Sequence, residues 1–110
     1  MSYQLIIGAR FNQMSRRFRK KYFSFADDFE QLLAELKQNP QAGEALGRDC
    51  FKVRMRIKSK NTGKSGGARV ITCVKVIDEK VYLLAIYDKS EQSPITDQER
   101  DDLLKENGLL

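Results

Sequence analysis

Lys52, Arg54, Arg56 and Lys58 alternate with Phe51, Val53, Met55 and Ile57. Strict alternation over such a run marks a half-buried strand, so the four cations share one face and the four apolar residues the other. Side chains on one face of a strand lie about 6.6–6.8 Å apart, two residues at the strand rise. Like charges so close repel, which costs stability until an anion relieves it. An edge strand that merely deters aggregation needs one or two lysines. Four cations including two arginines go further, because the guanidinium fork suits bidentate contact with phosphate. The chemistry that this row predicts is phosphate binding and charge stabilisation, with RNA the expected polyanion.

Arg69 opens the next predicted strand, and Lys60 and Lys64 lie in the connection. If the two strands pair as a hairpin, Arg69 falls near the Arg54–Lys58 end of the row. Gly63, Gly66 and Gly67 allow a close backbone approach to phosphate or serve simple turn geometry. Gly63-Lys64-Ser65 resembles the end of a nucleotide-binding P-loop, but Lys58 stands where the first glycine is required and a strand follows instead of a helix. That motif is rejected.

Acid–base chemistry has few candidates. The chain contains no histidine, and arginine stays protonated, so it can only stabilise charge. Lys52 could serve as a base if its pKa fell from about 10.4 towards 7–8, a change of roughly 4 kcal/mol. A cation about 6.7 Å away contributes about 2.5 kcal/mol at an effective dielectric of about 20, and about 0.6 kcal/mol in water. Charge stabilisation by Arg54, Arg56 and Arg69 is the firmer expectation. Glu91 is either a carboxylate base or a solvated loop acid. Tyr87 either stacks on a base or packs in the core. Arg16, Arg17, Arg19, Lys20 and Lys21 either contact RNA backbone or solvate a helix.

The wider charge pattern agrees with a segregated surface. The net charge is +5 over 110 residues. Residues 1–23 hold six bases and no acid, and residues 50–75 hold eight and none. Residues 24–49 hold six acids against two bases, and residues 76–110 nine against four. Such blocks become separate patches, and a basic patch attracts phosphate. The length fits one domain, residues 1–110. Cys50 and Cys73 lack metal spacing and are read as buried, reduced thiols; no metal or cofactor is expected. The apolar runs are too short to span a membrane, and the N-terminus lacks signal-peptide features, so a cytoplasmic protein is expected.

The elements that must position these residues follow from periodicity. Residues 3–9 read as a short strand. Phe11, Met14, Phe18 and Tyr22 form one stripe of a helix. A second helix opens at Ser24, a predicted N-cap, carries Asp27 and Asp28 in its first turn, and buries Phe25, Phe29, Leu32, Leu33 and Leu36. Asn39-Pro40 ends it. A short joint near Phe23 makes the two helices an antiparallel hairpin. Residues 41–49 read as loop, 51–58 as the cationic strand, 59–67 as loop, and 68–77 and 81–87 as central strands. Thr96 and Glu99 form a predicted capping box for a last helix ending near Gly108. The order defines an α+β domain with a mainly antiparallel sheet of about four strands.

Asp49-Cys50-Phe51-Lys52-Val53-Arg54-Met55-Arg56, Gly66-Gly67-Ala68-Arg69-Val70-Ile71 and Val76-Ile77-Asp78-Glu79-Lys80-Val81 resemble the RelE/ParE superfamily of type II toxin–antitoxin toxins. The long glycine-rich loop before Arg69 is most similar to the HigB-like branch. The resemblance spans roughly residues 3–104. It implies a small cytoplasmic toxin, bound by a cognate antitoxin in a hetero-tetramer, that cleaves mRNA in the ribosomal A site. The family's catalytic cations correspond to Lys52, Arg54, Arg56 and Arg69, with Lys58, Lys60, Lys64, Lys89, Arg16, Arg17 and Lys20 as further RNA contacts. The chain departs from the pattern at Ser90, where such nucleases often carry arginine with Lys89 beside it, and at Thr96, where they often carry tyrosine. A ParE-like gyrase inhibitor and a catalytically weak, antitoxin-bound module are the alternatives.

Overall fold

The computed structural model describes residues 3–60 and 66–110. In chain order it contains β1 (Gln4–Ile7), α1 (Ala9–Lys21), α2 (Phe25–Gln38), β2 (Glu44–Gly47), β3 (Cys50–Met55), β4 (Ala68–Lys75), β5 (Lys80–Asp88) and α3 (Asp97–Glu106). A 3-10 turn, Lys58–Lys60, follows β3. The strands form one sheet in the order β1-β5-β4-β3-β2, antiparallel except for the β1–β5 pair.

The helical stripes read from periodicity meet in an aromatic stack. Phe11 lies 5.5 Å from Phe29, Phe29 5.7 Å from Phe25, and Phe25 5.8 Å from Phe18, centroid to centroid. These rings and Leu32 and Leu36 cover Val53, Met55, Ile57, Val70, Leu83 and Ile86 on one face of the sheet. Burying each such side chain stabilises the fold by about 1.5–3 kcal/mol. On the opposite face, Leu103 and Leu104 of α3 cover Cys50, Ile71, Cys73 and Leu84. The helix α3 starts on the expected capping box: Glu99 N–H donates to Thr96 Oγ1 at 3.1 Å, and Thr96 N–H donates to Glu99 Oε1 at 3.0 Å.

Four local expectations are corrected. The stretch 41–49 contains β2, which pairs antiparallel with β3 through Glu44↔Lys52 and Ala45↔Phe51. Its sequence has neither alternation nor β-branched residues, so the strand exists because β3 offers it a ladder. Arg100 of α3 reinforces it, donating to the Leu46 carbonyl at 2.5 Å. The ladder of β3 ends at Met55, short of Lys58, although burial continues to alternate through Ile57. The strand expected over 68–77 stops at Lys75, leaving Val76 and Ile77 exposed in the turn. Ser24 is the N-cap residue of α2, but its hydroxyl makes no capping bond. It donates instead to Asp28 Oδ2 at 2.7 Å and accepts from Ser59 N–H at 3.0 Å. Asp28 Oδ2 also accepts the Lys58 N–H at 3.1 Å. The start of α2 thereby clamps the chain just where it leaves the sheet.

One irregularity decides which side chains of β5 reach the site. Ile71 pairs with Ala85 but Thr72 pairs with Leu83, so Leu84 is an extra residue on β5. A bulge of this kind reverses the facing of every later residue. Leu83 packs beneath the helices of the first face, whereas Ala85 and Tyr87 turn to the second.

Candidate nucleic-acid interface

The register carries the site. Arg54 of β3 lies directly opposite Arg69 of β4, and Arg69 lies directly opposite Tyr87 of β5. Neighbouring strands are about 4.7–4.9 Å apart, so these three side chains form a row across the sheet. Lys52 pairs with Ile71 on the same face, one step further along. Lys52, Arg54, Arg69, Tyr87 and Lys89 line one cleft of about 700 Å³, with Glu35 of α2 and Glu44 of β2 at its walls. The expectation that Arg69 joins the Arg54–Lys58 end of the cationic strand is met, directly opposite Arg54.

Each cation has a distinct setting. Arg54 and Arg56 are exposed, while Arg69 is buried, with Nη1 donating to the Ala68 carbonyl at 3.1 Å. The Lys52 side chain is 19% exposed and lies 3.6 Å from Glu44, itself 69% exposed. A pair that open on one side is worth little in water, so Glu44 is a counterion that a phosphate can displace. Burial pushes the Tyr87 phenol up from its ordinary pKa, against the pull of Arg69 and a hydrogen bond from the Ile95 backbone. Tyr87 packs in the core, one of the two alternatives the sequence left open, and it also contributes to the cleft lining.

Arg56 shares a small recess with Arg54, Asp28 and Glu35 at the rim of the cleft. Lys58 is exposed beyond it. Lys60 is corrected as an open RNA contact. Its ammonium lies 3.0 Å from both Asp88 oxygens, its side chain is 14% exposed, and it sits over the Tyr22 ring. Burial alone would raise the Asp88 pKa. Hydrogen bonds from the Ser90 hydroxyl and N–H, with the Lys60 ammonium, instead hold it down to about 2. Lys64 lies outside the described residues. Lys89 reaches the cleft from the segment after β5.

Glu91 is an exposed loop acid outside the cleft lining, as one of its two readings has it. It bridges to Arg17 and, at 3.2 Å, to Lys21 on α1. Arg17 therefore has a carboxylate partner, whereas Arg16 and Lys20 project from α1 into solvent, apart from the cleft lining. The two positions that depart from the nuclease pattern have structural duties. Ser90 holds Asp88, and Thr96 caps α3. Sequence reasoning missed Glu35 and Glu44 as cleft residues. No spacing signals them, because they reach the site only through the packing of α2 and the formation of β2. No group of His, Cys, Asp and Glu that could hold a metal occurs among the described residues. Among those residues, no helix is long and apolar enough to cross a membrane.

The site is thus an open sheet face with a cation-lined cleft, backed by two helices and flanked by a third. Comparison with known proteins names the class more closely. The sequence model described as the RelE toxin of the RelE/RelB toxin-antitoxin system matches residues 12–108. The chain belongs to that family, and is a toxin of a type II toxin–antitoxin system. Its fold is that of solved RelE structures. A mutant of the E. coli toxin RelE in the free state aligns at 19% identity with a TM-score of 0.60, over 96% of this chain and 97% of that one. The RelE chain of the intact E. coli RelBE toxin-antitoxin complex aligns at 22% identity and 0.57, over 82% and 99%. The archaeal RelE-RelB complex from Pyrococcus horikoshii OT3 gives 17% and 0.54, over 84% and 100%.

Proposed function

We propose that this toxin is an mRNA endoribonuclease acting in the ribosomal A site, with the Arg54–Arg69 pair at the centre of its active cleft. The observation that carries the reading is the cross-strand register of those two arginines, on the same face as Lys52. Attack of an RNA 2′-hydroxyl on the adjacent phosphate builds negative charge on the phosphoryl oxygens. Guanidinium groups fixed on a rigid sheet meet that charge without reorganising. Arg54 and Arg69 are the principal stabilisers, with Arg56 contributing from the rim. Lys52 and Lys89 supply the flanking positive charge, Lys89 on the side where Ser90 replaces the arginine common in such nucleases. The gyrase-inhibitor reading gains no support from the RelE match. The HigB-like branch rests on the glycine-rich loop, part of which lies outside the described residues.

Solved complexes join RelE to the antitoxin RelB. By the same logic we expect a cognate antitoxin here, acidic where it covers the cleft, a cytoplasmic setting, and assembly into a hetero-tetramer. The test is induction of the toxin followed by primer extension on total mRNA. New ends within translated codons support the reading. Growth arrest beside intact transcripts rejects it, and no arrest at all favours the catalytically weak module. Purified protein with and without ribosomes then tells ribosome-dependent cleavage from cleavage of free RNA.

A further inference from the structure

Two large apolar side chains stand almost wholly in solvent. Phe23 is 93% exposed and Ile77 is 98% exposed. Their surroundings differ. Ile77 sits in the β4–β5 turn with the exposed Asp78 and the half-buried Glu79, acids that repel phosphate. Phe23 sits in the turn between α1 and α2, next to the exposed Arg19 and Lys20 at the end of α1. Asp27, in the first turn of α2, is the exposed acid nearest to it in the chain.

The clamp at the start of α2 brings the cationic row to the same place. Ser24, the neighbour of Phe23, accepts the Ser59 N–H at 3.0 Å, and Asp28 accepts the Lys58 N–H at 3.1 Å. Counting one Cα step of 3.8 Å and these bonds, the Lys58 backbone lies on the order of 10 Å from that of Phe23. Arg54, Arg56 and Lys58 are each exposed, between the buried Met55 and Ile57. The row therefore runs out of the cleft, over its rim, and its last backbone lies on the order of 10 Å from that of a residue with an open aromatic ring. A charged track with an exposed ring at its end is how proteins hold single-stranded nucleic acid, the cations following phosphates and the ring stacking on a base.

We infer that Phe23 is a stacking platform for an unpaired base of the RNA strand that leaves the cleft along Arg56 and Lys58. This rests on the RNA reading of the cleft and adds a base subsite outside it. Base stacking is sequence-tolerant, because every base has a π-face. The subsite thus strengthens grip on the strand and adds little sequence preference.

The experiment uses the absence of tryptophan from the chain. In Phe23→Trp the new indole is the only one, excited selectively at wavelengths where the four tyrosines do not absorb, and the exposed position keeps the fold undisturbed, which thermal melting verifies. The probe is a mixed-sequence 12-nucleotide 2′-O-methyl RNA, which lacks the attacking hydroxyl. Its binding is followed both by the anisotropy of a dye on its end and by indole emission. The expected result is quenching of the indole as the RNA binds, and about tenfold weaker binding by Phe23→Ala, restored in Phe23→Tyr. Phe23→Ala leaves the slope of log K against log salt unchanged, because a ring releases no counterions, whereas Lys58→Ala lowers it by about 1. RNA that binds by anisotropy without moving the indole, or binds Phe23→Ala as tightly as the parent, overturns the inference and leaves the cleft reading standing. Indole emission that responds to the antitoxin protein and not to RNA makes Phe23 a protein contact and overturns it too. Failure of the parent protein to bind or cut any RNA overturns both readings.

Discussion

Arg54 and Arg69 face each other across the β3–β4 ladder, two like charges at directly paired positions. Opposed like charges weaken a sheet. Under the proposed function, a phosphate between them offsets that repulsion and gains two guanidinium donors at once.

Arg69→Ala is expected to abolish toxicity and lower cleavage by about 10²–10³, the range for losing one preorganised donor. Arg54→Ala, at an exposed position, should lose activity in the same direction with an unchanged melting temperature. Growth curves on induction, with thermal melts of the purified variants, check both. Full toxicity in Arg69→Ala removes that residue from the site.

Asp88 and Lys60 form a deeply buried ion pair, their side chains 3% and 14% exposed. The folded Asp88 pKa of about 2 lies below its ordinary 3.8. The unfolded chain therefore takes up the proton first, and the contribution of Ser90 and Lys60 together, about 2 kcal/mol, is complete above about pH 4 and lost as pH falls through 2. Denaturant titrations at pH 5 and pH 2.5 should differ by less in Asp88→Asn than in the parent. Lys60→Ala should cost about 3–5 kcal/mol at neutral pH, because it leaves a buried carboxylate without its cation.

Gly67 lies where the chain re-enters the sheet, and a Cβ there would overlap the Met55 carbonyl oxygen, a backbone atom that cannot swing away. Gly67→Ala should therefore force the β3–β4 hairpin apart just before Arg69. A loss of more than about 1 kcal/mol of stability, together with loss of cleavage, is expected. A variant as stable and as active as the parent shows that the hairpin has more room than its backbone implies.

Cys50 and Cys73 pair directly across the same ladder, 1% and 0% exposed beneath α3. The hydrogen bond to Cys73 and then burial push the Cys50 thiol up. The same bond draws the Cys73 thiol down, so burial is what keeps a reagent from both sulfurs. Labelling by an aromatic disulfide reagent should be slow in the native protein and should speed up in proportion to unfolding as denaturant is added. Rapid labelling in buffer means that α3 opens independently of the sheet.

The sequence by itself determined the local elements and the presence of a cationic face. Alternation at Lys52–Lys58 and the stripes of α1 and α2 are short-range signals, because strand and helix geometry repeat every two and 3.6 residues. They correctly gave the α+β order, the capping box at Thr96 and the face that carries Arg54. Tertiary structure decided which of the many cations share a site. Lys60 and Lys52 look alike in the chain, yet one is held by Asp88 and the other lines the cleft, since a charge is placed by whatever partner the fold brings near it. The bulge at Leu84 turned Tyr87 towards Arg69, and pairing with β3 made a strand of Glu44–Gly47. These are long-range outcomes of packing and register, with no periodicity of their own to read.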